Sequence, residues 1–168
     1  MINICLTEKL LNTLNMNDVN PESYLPAYGG ESVGLDLYNT GENITIVHGS
    51  YNSVTRNYYE SNNTTLISTG LKIKVPEGYV ALIQERGSIT KTPLKVRAGV
   101  VDPGYTGEVF VNCVNTGNSA YTLYANQKLP FQIIVVKCDN HFNVVSEDEY
   151  LNLSSESRRM GGKVGSSD

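Results

Sequence analysis

The chain has 168 residues, of which 40% are hydrophobic and 18% are charged, and its formal net charge is −4 at pH 7. This length predicts one domain with a sizeable core that needs no disulfides. The acidic balance argues against nucleic acid or a membrane as a partner, because both select a basic surface.

The cysteines and the lack of a long apolar segment bear on the location of the protein in the cell. Cys5, Cys113 and Cys138 show no metal-ligand spacing, so they are predicted to be free thiols in a reducing compartment. The sequence also has no segment typical of a secretory signal or a membrane span. We therefore expect a cytoplasmic protein, with a nuclear location left open.

Most of the chain is predicted to form short strands. Residues 2–11 fit either a strand or a short helix, and residues 12–22 are polar and loop-like. Further strands are expected over 33–38, 44–48, 65–75, 79–85, 108–114, 121–123 and 131–137. The last is a nearly continuous apolar run, typical of a strand buried on both faces. Regularly spaced strands with hardly a helix indicate an all-β sandwich or barrel of jelly-roll type.

One turn carries the clearest chemical signal. Two short apolar runs, 99–101 and 109–111, flank Asp102-Pro103-Gly104, which predicts a β-hairpin because Pro presets φ and Gly tolerates positive φ. Alone, such a turn would be structural. Here a carboxylate ends the first run and Tyr105 follows the turn, so we expect both side chains to face the same small space. Asp102 is the candidate general base.

Two other stretches offer phosphate-binding groups. Arg86-Gly87-Ser88 precedes a predicted helical turn over 88–91, with a hydroxyl at its cap; a simple capped turn is the alternative. The C-terminal residues 158–168 combine three cations with glycines and hydroxyls, which suits a polyphosphate, although a solubilising tail has the same composition. Asp36 fits either a metal-shell carboxylate or a strand-end residue.

Five stretches in order resemble the motifs of trimeric deoxyuridine triphosphate nucleotidohydrolases (dUTPases). They are residues 25–28 with 32–37, 86–88 preceded by 69–79, 99–109, 132–135, and 159–167. The resemblance implies a distorted jelly-roll β-barrel or sandwich over 1–153, with 49–64 as an inserted surface loop or hairpin tip. It also implies a flexible arm over 154–168 that closes over a neighbouring subunit's site in a homotrimer.

The resemblance further implies hydrolysis of dUTP to dUMP and pyrophosphate with Mg²⁺. Asp102 would deprotonate the water that attacks the α-phosphorus, and Tyr105 would exclude a 2′-hydroxyl. The backbone at Gly99 and Val100 would read uracil, with Gly99 admitting the base closely. Asp36 would reach the ion through water. Phosphate binding would involve Arg86, Gly87, Ser88 and Gln132. The closing arm would contribute Arg159, Val164, Gly165 and Ser166.

The chain departs from the family pattern at several positions. Gly87 stands at the usual hydroxyl position and Ser88 follows it, while Lys128 is the available basic residue of the fourth motif. Val164 replaces the aromatic residue of the arm. Asp36 and Arg86 are 50 positions apart, which indicates an insertion at 49–64.

Two alternatives remain open on sequence grounds. A dCTP deaminase shares the Asp-Pro-Gly-aromatic turn, but Asn112 stands where that reaction needs a Glu, and an amide cannot shuttle the proton. A nucleotide- or partner-binding protein with weak or no catalysis is the second.

Overall fold

The computed structural model describes residues 2–26, 31–48, 50–52, 57–59, 64–139 and 141–155. Within these ranges lie the helices α1 (Glu8–Met16) and α2 (Glu147–Ser155) and short 3₁₀ turns at Pro21–Ser23 and Gly87–Lys91. The strands are β1 (Asn3–Leu6), β2 (Leu35–Tyr38), β3 (Ile44–Ile46), β4 (Ser50–Asn52), β5 (Asn57–Tyr59), β6 (Thr65–Lys74), β7 (Tyr79–Glu85), β8 (Leu94–Arg97), β9 (Val100–Val101), β10 (Glu108–Asn115), β11 (Tyr121–Leu123) and β12 (Lys128–Lys137). None of the described helices is long and apolar enough to cross a membrane.

Two four-stranded antiparallel sheets form the body of the protein. Their strand orders are β1-β6-β10-β8 and β2-β12-β7-β9, while β11 pairs with β3 and β4 with β5. One hydrophobic cluster draws fully buried side chains from both sheets, such as Ile67 and Val111 from the first and Phe131 from the second. The predicted all-β class is confirmed.

Alternating burial along β10 shows how the sequence builds this core. Val109, Val111 and Cys113 point inward and are buried, whereas Phe110 and Asn112 between them lie on the outer face. Burial raises the pKa of the Cys113 thiol to about 12, so this cysteine acts as a neutral packing residue. All three cysteines are free, as predicted.

Helix α1 corrects the expectation of a polar loop over 12–22. The Thr7 hydroxyl caps the helix by accepting from the Leu10 amide, and Leu10 and Leu14 are fully buried. The helix packs against β6 at Gly70, which has φ of +63° and where a Cβ would lie 2.6 Å from the Thr7 hydroxyl. Several asparagines obscure the helical pattern of apolar residues in the sequence, but the burial of those two leucines stabilises the helix.

The predicted hairpin around Asp102 also needs correction. The turn itself is present, because the Tyr105 amide donates to the Asp102 carbonyl at 3.0 Å. However, β9 pairs with β7, whereas β10 pairs with β6 and β8. The segment therefore carries the chain from one sheet to the other, and its two apolar runs are not paired with each other.

Three boundary predictions differ in detail. Residues 50–52 pair with 57–59, so the described part of the predicted 49–64 insertion fits the hairpin alternative. In β12, Phe131 and Ile133 are buried but Val136 is exposed, so only the first half of this strand is covered on both faces. Helix α2 runs across the predicted boundary between 153 and 154, and residues 156–168 lie outside the described residues.

Candidate active site

Asp102 and Tyr105 lie in one cavity, as the sequence predicts. This Asp102 pocket has a volume of about 270 Å³ and lies where β9 passes to β10. Both residues are exposed, and among the described residues no side chain bonds the Asp102 carboxylate. A carboxylate that is open to water and faces an aromatic wall can serve as a general base beside a bound nucleoside.

Apolar residues that the sequence analysis missed form the rest of the wall. They are Leu66, Ile83, Ala98, Val101, Val109 and Phe110, and the predicted Val100 lines the same pocket. Leu66 and Phe110 occupy outward positions of their strands, and they are 64% and 41% exposed. An apolar residue at an outward position of an alternating strand is the signal that could have identified them.

Gly99 lies close against β7. It does not line the Asp102 pocket, and its carbonyl accepts from the Ile83 amide at 2.7 Å. A Cβ at this position would lie 2.7 Å from the Ile83 carbonyl oxygen. The close approach of the chain to β7 therefore favours a glycine here, and the predicted role of Gly99 in reading a base stays a prediction.

Replacing Gly99 by Ala is expected to destabilise the fold by about 1–3 kcal/mol, because the added methyl group would collide with rigid backbone. Thermal or denaturant unfolding measures the loss. Gly87→Ala is the matched control, because a Cβ there meets no atom within 4 Å. Equal stability of the two variants would contradict this account of Gly99.

A second group of predicted residues forms the Asp36 cluster, which consists of Asp36, Arg86, Lys128 and Gln132. The Asp36 carboxylate bridges two cations, with Arg86 Nε at 2.6 Å from Oδ1 and Lys128 Nζ at 2.7 Å from Oδ2. The Asp36 side chain is 17% exposed and that of Lys128 44% exposed. The cluster thus presents two cations at the surface around one shielded carboxylate, an arrangement that suits a phosphate chain.

A β-bulge brings Lys128 to this place. In the pairing of β12 with β2, Lys128 is opposite Tyr38 and Gln132 is opposite Asp36, so β12 advances four residues while β2 advances two. The extra residues bend the strand locally and allow Lys128 to reach Asp36. The sequence offers Lys128 as the basic residue of this stretch, but its spacing from Gln132 alone does not reveal the bulge.

Gln132 lies directly against Gly34, before β2. A Cβ at Gly34 would lie 1.9 Å from Gln132 Oε1, so the glycine makes room for this amide. Gln132 Nε2 donates to the Glu85 carbonyl at 3.2 Å, which fixes the side chain beside the end of β7. Gly34, Asp36 and Gln132 therefore belong to one local structure, although they are distant in sequence.

Tyr24 anchors the segment before β2. Its ring is buried, and its hydroxyl donates to the Asp36 carbonyl. Burial, together with the nearby Tyr38 and Asp36, raises the pKa of Tyr24 well above its usual range, so this group remains a neutral donor. The contact fixes the backbone that presents the Asp36 carboxylate.

Gly87 and Ser88 begin the 3₁₀ turn and are exposed. The predicted hydroxyl cap is wrong, because Arg86 occupies the N-cap position and no side-chain capping hydrogen bond is formed there. Arg86 instead directs its guanidinium to Asp36, and its amide donates to the Pro130 carbonyl at 3.0 Å. Ser88 is accordingly left accessible to a ligand.

The predicted residues thus fall into two separate groups. Among the described residues, no hydrogen bond or ion pair joins Asp102 or Tyr105 to the Asp36 cluster. Arg159, Val164, Gly165 and Ser166 lie outside the described residues. Nor do three or more metal-binding side chains converge anywhere in the described part of the chain.

The two-sheet β body thus carries Asp102 and Tyr105 in one cavity and a separate cationic cluster around Asp36. A model of the dUTPase family matches residues 24–168. A relative from Solibacter usitatus (strain Ellin6076), named deoxyuridine 5′-triphosphate nucleotidohydrolase, is 32% identical over 161 residues, or 92% of this chain and 95% of the relative. The chain belongs to the dUTPase family, which confirms the predicted family and enzyme class.

Solved structures agree with this fold. A variant of the Staphylococcus bacteriophage 80alpha dUTPase with dUpNHpp has a TM-score of 0.69 at 17% identity, covering 99% of this chain and 98% of that one. A variant dUTPase from phage phi11 of S. aureus, described with a structural Mg(II) ion, has a TM-score of 0.61 at 16% identity, covering 88% and 97%. At these identities the likeness shows the fold alone, and it confirms the jelly-roll type.

Proposed function

We propose that this protein hydrolyses dUTP to dUMP and pyrophosphate, with Asp102 as the general base. The observation that carries the proposal is the shared cavity of Asp102 and Tyr105 in a chain of the dUTPase family. The Asp102 carboxylate takes a proton from a water molecule, which attacks the α-phosphorus and displaces pyrophosphate. One positioned base of this kind contributes about 10²–10⁴-fold to a rate.

Recognition of the nucleoside is assigned to the wall of the Asp102 pocket. The Tyr105 ring packs against deoxyribose and leaves no room for a 2′-hydroxyl. The backbone at Val100 is assigned to the base, because Val100 lines the pocket. Gly99, whose carbonyl accepts from the Ile83 amide, is proposed to read the base together with Val100 and to admit it closely.

Recognition of the triphosphate is assigned to Arg86, Lys128 and Gln132 of the Asp36 cluster, with Ser88 beside them. A phosphate chain attracts both cations away from Asp36, because it offers more negative charge than one carboxylate. In the arm, Arg159 adds a guanidinium on the distal phosphates, and Val164, Gly165 and Ser166 cover the site.

Mg²⁺ fits this donor set as an ion that arrives with the nucleotide. Asp36 supplies one carboxylate, and Mg²⁺ in nucleotide sites is typically bound by one or two carboxylates, water and substrate phosphates. Asp36 would hold the ion through water. When bound, the ion neutralises charge on the phosphate oxygens.

We also propose that the site is completed between the subunits of a homotrimer. The Asp102 pocket and the Asp36 cluster have no described contact within one chain, so a second subunit can supply the phosphate-binding group to the first. The arm, 154–168, is proposed to close over a neighbouring subunit's site. Cytoplasmic location remains a prediction.

The function is tested by measuring pyrophosphate release from dUTP, dCTP, dTTP and UTP, each with Mg²⁺ and with chelator. Metal-dependent release from dUTP alone is expected. Ammonia release from dCTP would instead identify a deaminase. No turnover of any nucleotide by a folded trimer would favour a binding protein.

Replacing Lys128 by Met is expected to weaken dUTP binding about tenfold, because one charge-assisted contact to phosphate is lost. Calorimetric titration with dUpNHpp and Mg²⁺ measures the affinity. Lys95→Met is the matched control, since Lys95 also pairs with a carboxylate, Glu85, at 3.2 Å but lies outside the Asp36 cluster. Equal affinities of the two variants would remove Lys128 from the site.

A further inference from the structure

We propose that Glu108 is a positioning residue that locks the Tyr105 ring and thereby sets the preference for deoxyribose over ribose. The inference rests on the proposed function of the Asp102 pocket and adds a residue to which neither the family motifs nor the pocket lining gives a role. Glu108 opens β10, directly beyond the turn that carries the Asp102 and Tyr105 side chains.

The Tyr105 ring is held at both its edge and its face. Its hydroxyl donates to the Glu108 carbonyl at 2.6 Å. A Cβ on Gly107 would lie 2.7 Å from that hydroxyl oxygen and 2.8 Å from the adjoining ring carbon, so the ring lies directly over this glycine. The orientation of the ring therefore depends on where residues 107 and 108 are fixed.

The Glu108 side chain supplies that fixed point. Its Oε1 accepts from the Ser68 hydroxyl at 2.6 Å and from the Gly70 amide at 2.9 Å, both on β6. The Ser68 oxygen lies 3.0 Å from the hydroxyl of Thr40, after β2. Two donors on one carboxylate oxygen tie the start of β10 to a central strand.

These side-chain bonds lie where the regular ladder is broken. Glu108 pairs with Lys72 of β6, but the register shifts before Phe110, so the ladder is irregular directly after the first residue of β10. The Thr69 hydroxyl donates to the Val109 carbonyl at 2.5 Å across the same irregularity. Without the Glu108 carboxylate, the backbone that accepts from the Tyr105 hydroxyl would have one support fewer beside this irregularity.

Selectivity follows from this support because the Tyr105 ring excludes a 2′-hydroxyl only if the ring keeps its position. A ring that can swing away admits the 2′-hydroxyl of UTP at little cost, while deoxyribose contacts are nearly unchanged. The expected signature is therefore a rise in kcat/KM for UTP with little change for dUTP. A purely structural role would instead lower both values together.

The first test compares Glu108→Ala, Glu108→Gln, Tyr105→Phe and the double variant Glu108→Ala/Tyr105→Phe. Glu108→Ala and Tyr105→Phe are each expected to lower the dUTP-to-UTP ratio of kcat/KM about two- to tenfold, as for one lost hydrogen bond. Glu108→Gln retains an acceptor oxygen and should keep the ratio. The double variant should match the single ones, because both act through one ring. Glu77→Ala, in the exposed turn before β7, is the control.

Each other outcome counts against the proposal. An unchanged ratio in Glu108→Ala overturns it, as does an additive loss in the double variant. A loss in Glu108→Gln equal to that in Glu108→Ala would assign the effect to charge and overturn the hydrogen-bond account.

A second test needs no turnover, so the failure of the lock and the failure of the proposed function are distinguishable. The chain has 11 tyrosines, and 3-fluorotyrosine labelling with Tyr105→Phe as reference assigns the Tyr105 fluorine resonance. In Glu108→Ala this resonance is expected to move toward that of a mobile tyrosine, and in Glu108→Gln to stay in place. An unmoved resonance in Glu108→Ala overturns the lock, whatever the nucleotide assays show.

Discussion

Replacing Asp102 by Asn is expected to abolish dUTP turnover while leaving nucleotide affinity nearly intact. Asn has almost the same shape but cannot accept a proton from the attacking water, so kcat should fall by about 10²–10⁴-fold. Binding is retained because the Tyr105 wall and the cations of the Asp36 cluster are unchanged. Pyrophosphate release measures turnover, and calorimetric titration with dUpNHpp measures binding.

The control for Asp102→Asn is Asp18→Asn. Asp18 is an exposed residue with φ of 54°, a conformation that Asn also tolerates, so this variant loses the same charge without strain. Near-normal turnover in Asp102→Asn would exclude Asp102 as the base. A parallel loss of affinity in that variant would instead give its carboxylate a binding role.

Deleting residues 158–168 is expected to lower kcat/KM for dUTP by about a hundredfold, the value of two charge-assisted contacts. The deleted stretch carries Arg158, Arg159 and Lys163 among glycines and serines. Stability should be unaffected, because every buried residue of the described core precedes Ile134. Steady-state kinetics and the melting temperature measure the two effects.

A Gly-Ser stretch of equal length in place of 158–168 separates charge from chain length. It should be as impaired as the deletion, since only the cations and the specific arm residues are lost. Activity equal to that of the intact chain would show that the arm is not used. A large fall in melting temperature would show that the segment contributes to the fold.

The sequence by itself determined the features that depend on neighbours along the chain. Alternation predicted β10, with its buried Val109 and Val111, and turn chemistry predicted the bend from Asp102 to Tyr105. The order of five motifs identified the dUTPase family. Such signals can be detected in the sequence because strand alternation and turn preferences are set by residues only a few positions apart.

Only the tertiary structure decided which of these pieces meet. It separates β9 from β10 into different sheets, brings Lys128 to Asp36 through a bulge, and explains Gly99 by the Ile83 carbonyl. It also shows that Glu108 supports Tyr105 through β6. Each of these contacts joins strands whose pairing depends on the burial of the whole core. Such pairing leaves no periodic pattern in the sequence around any single residue.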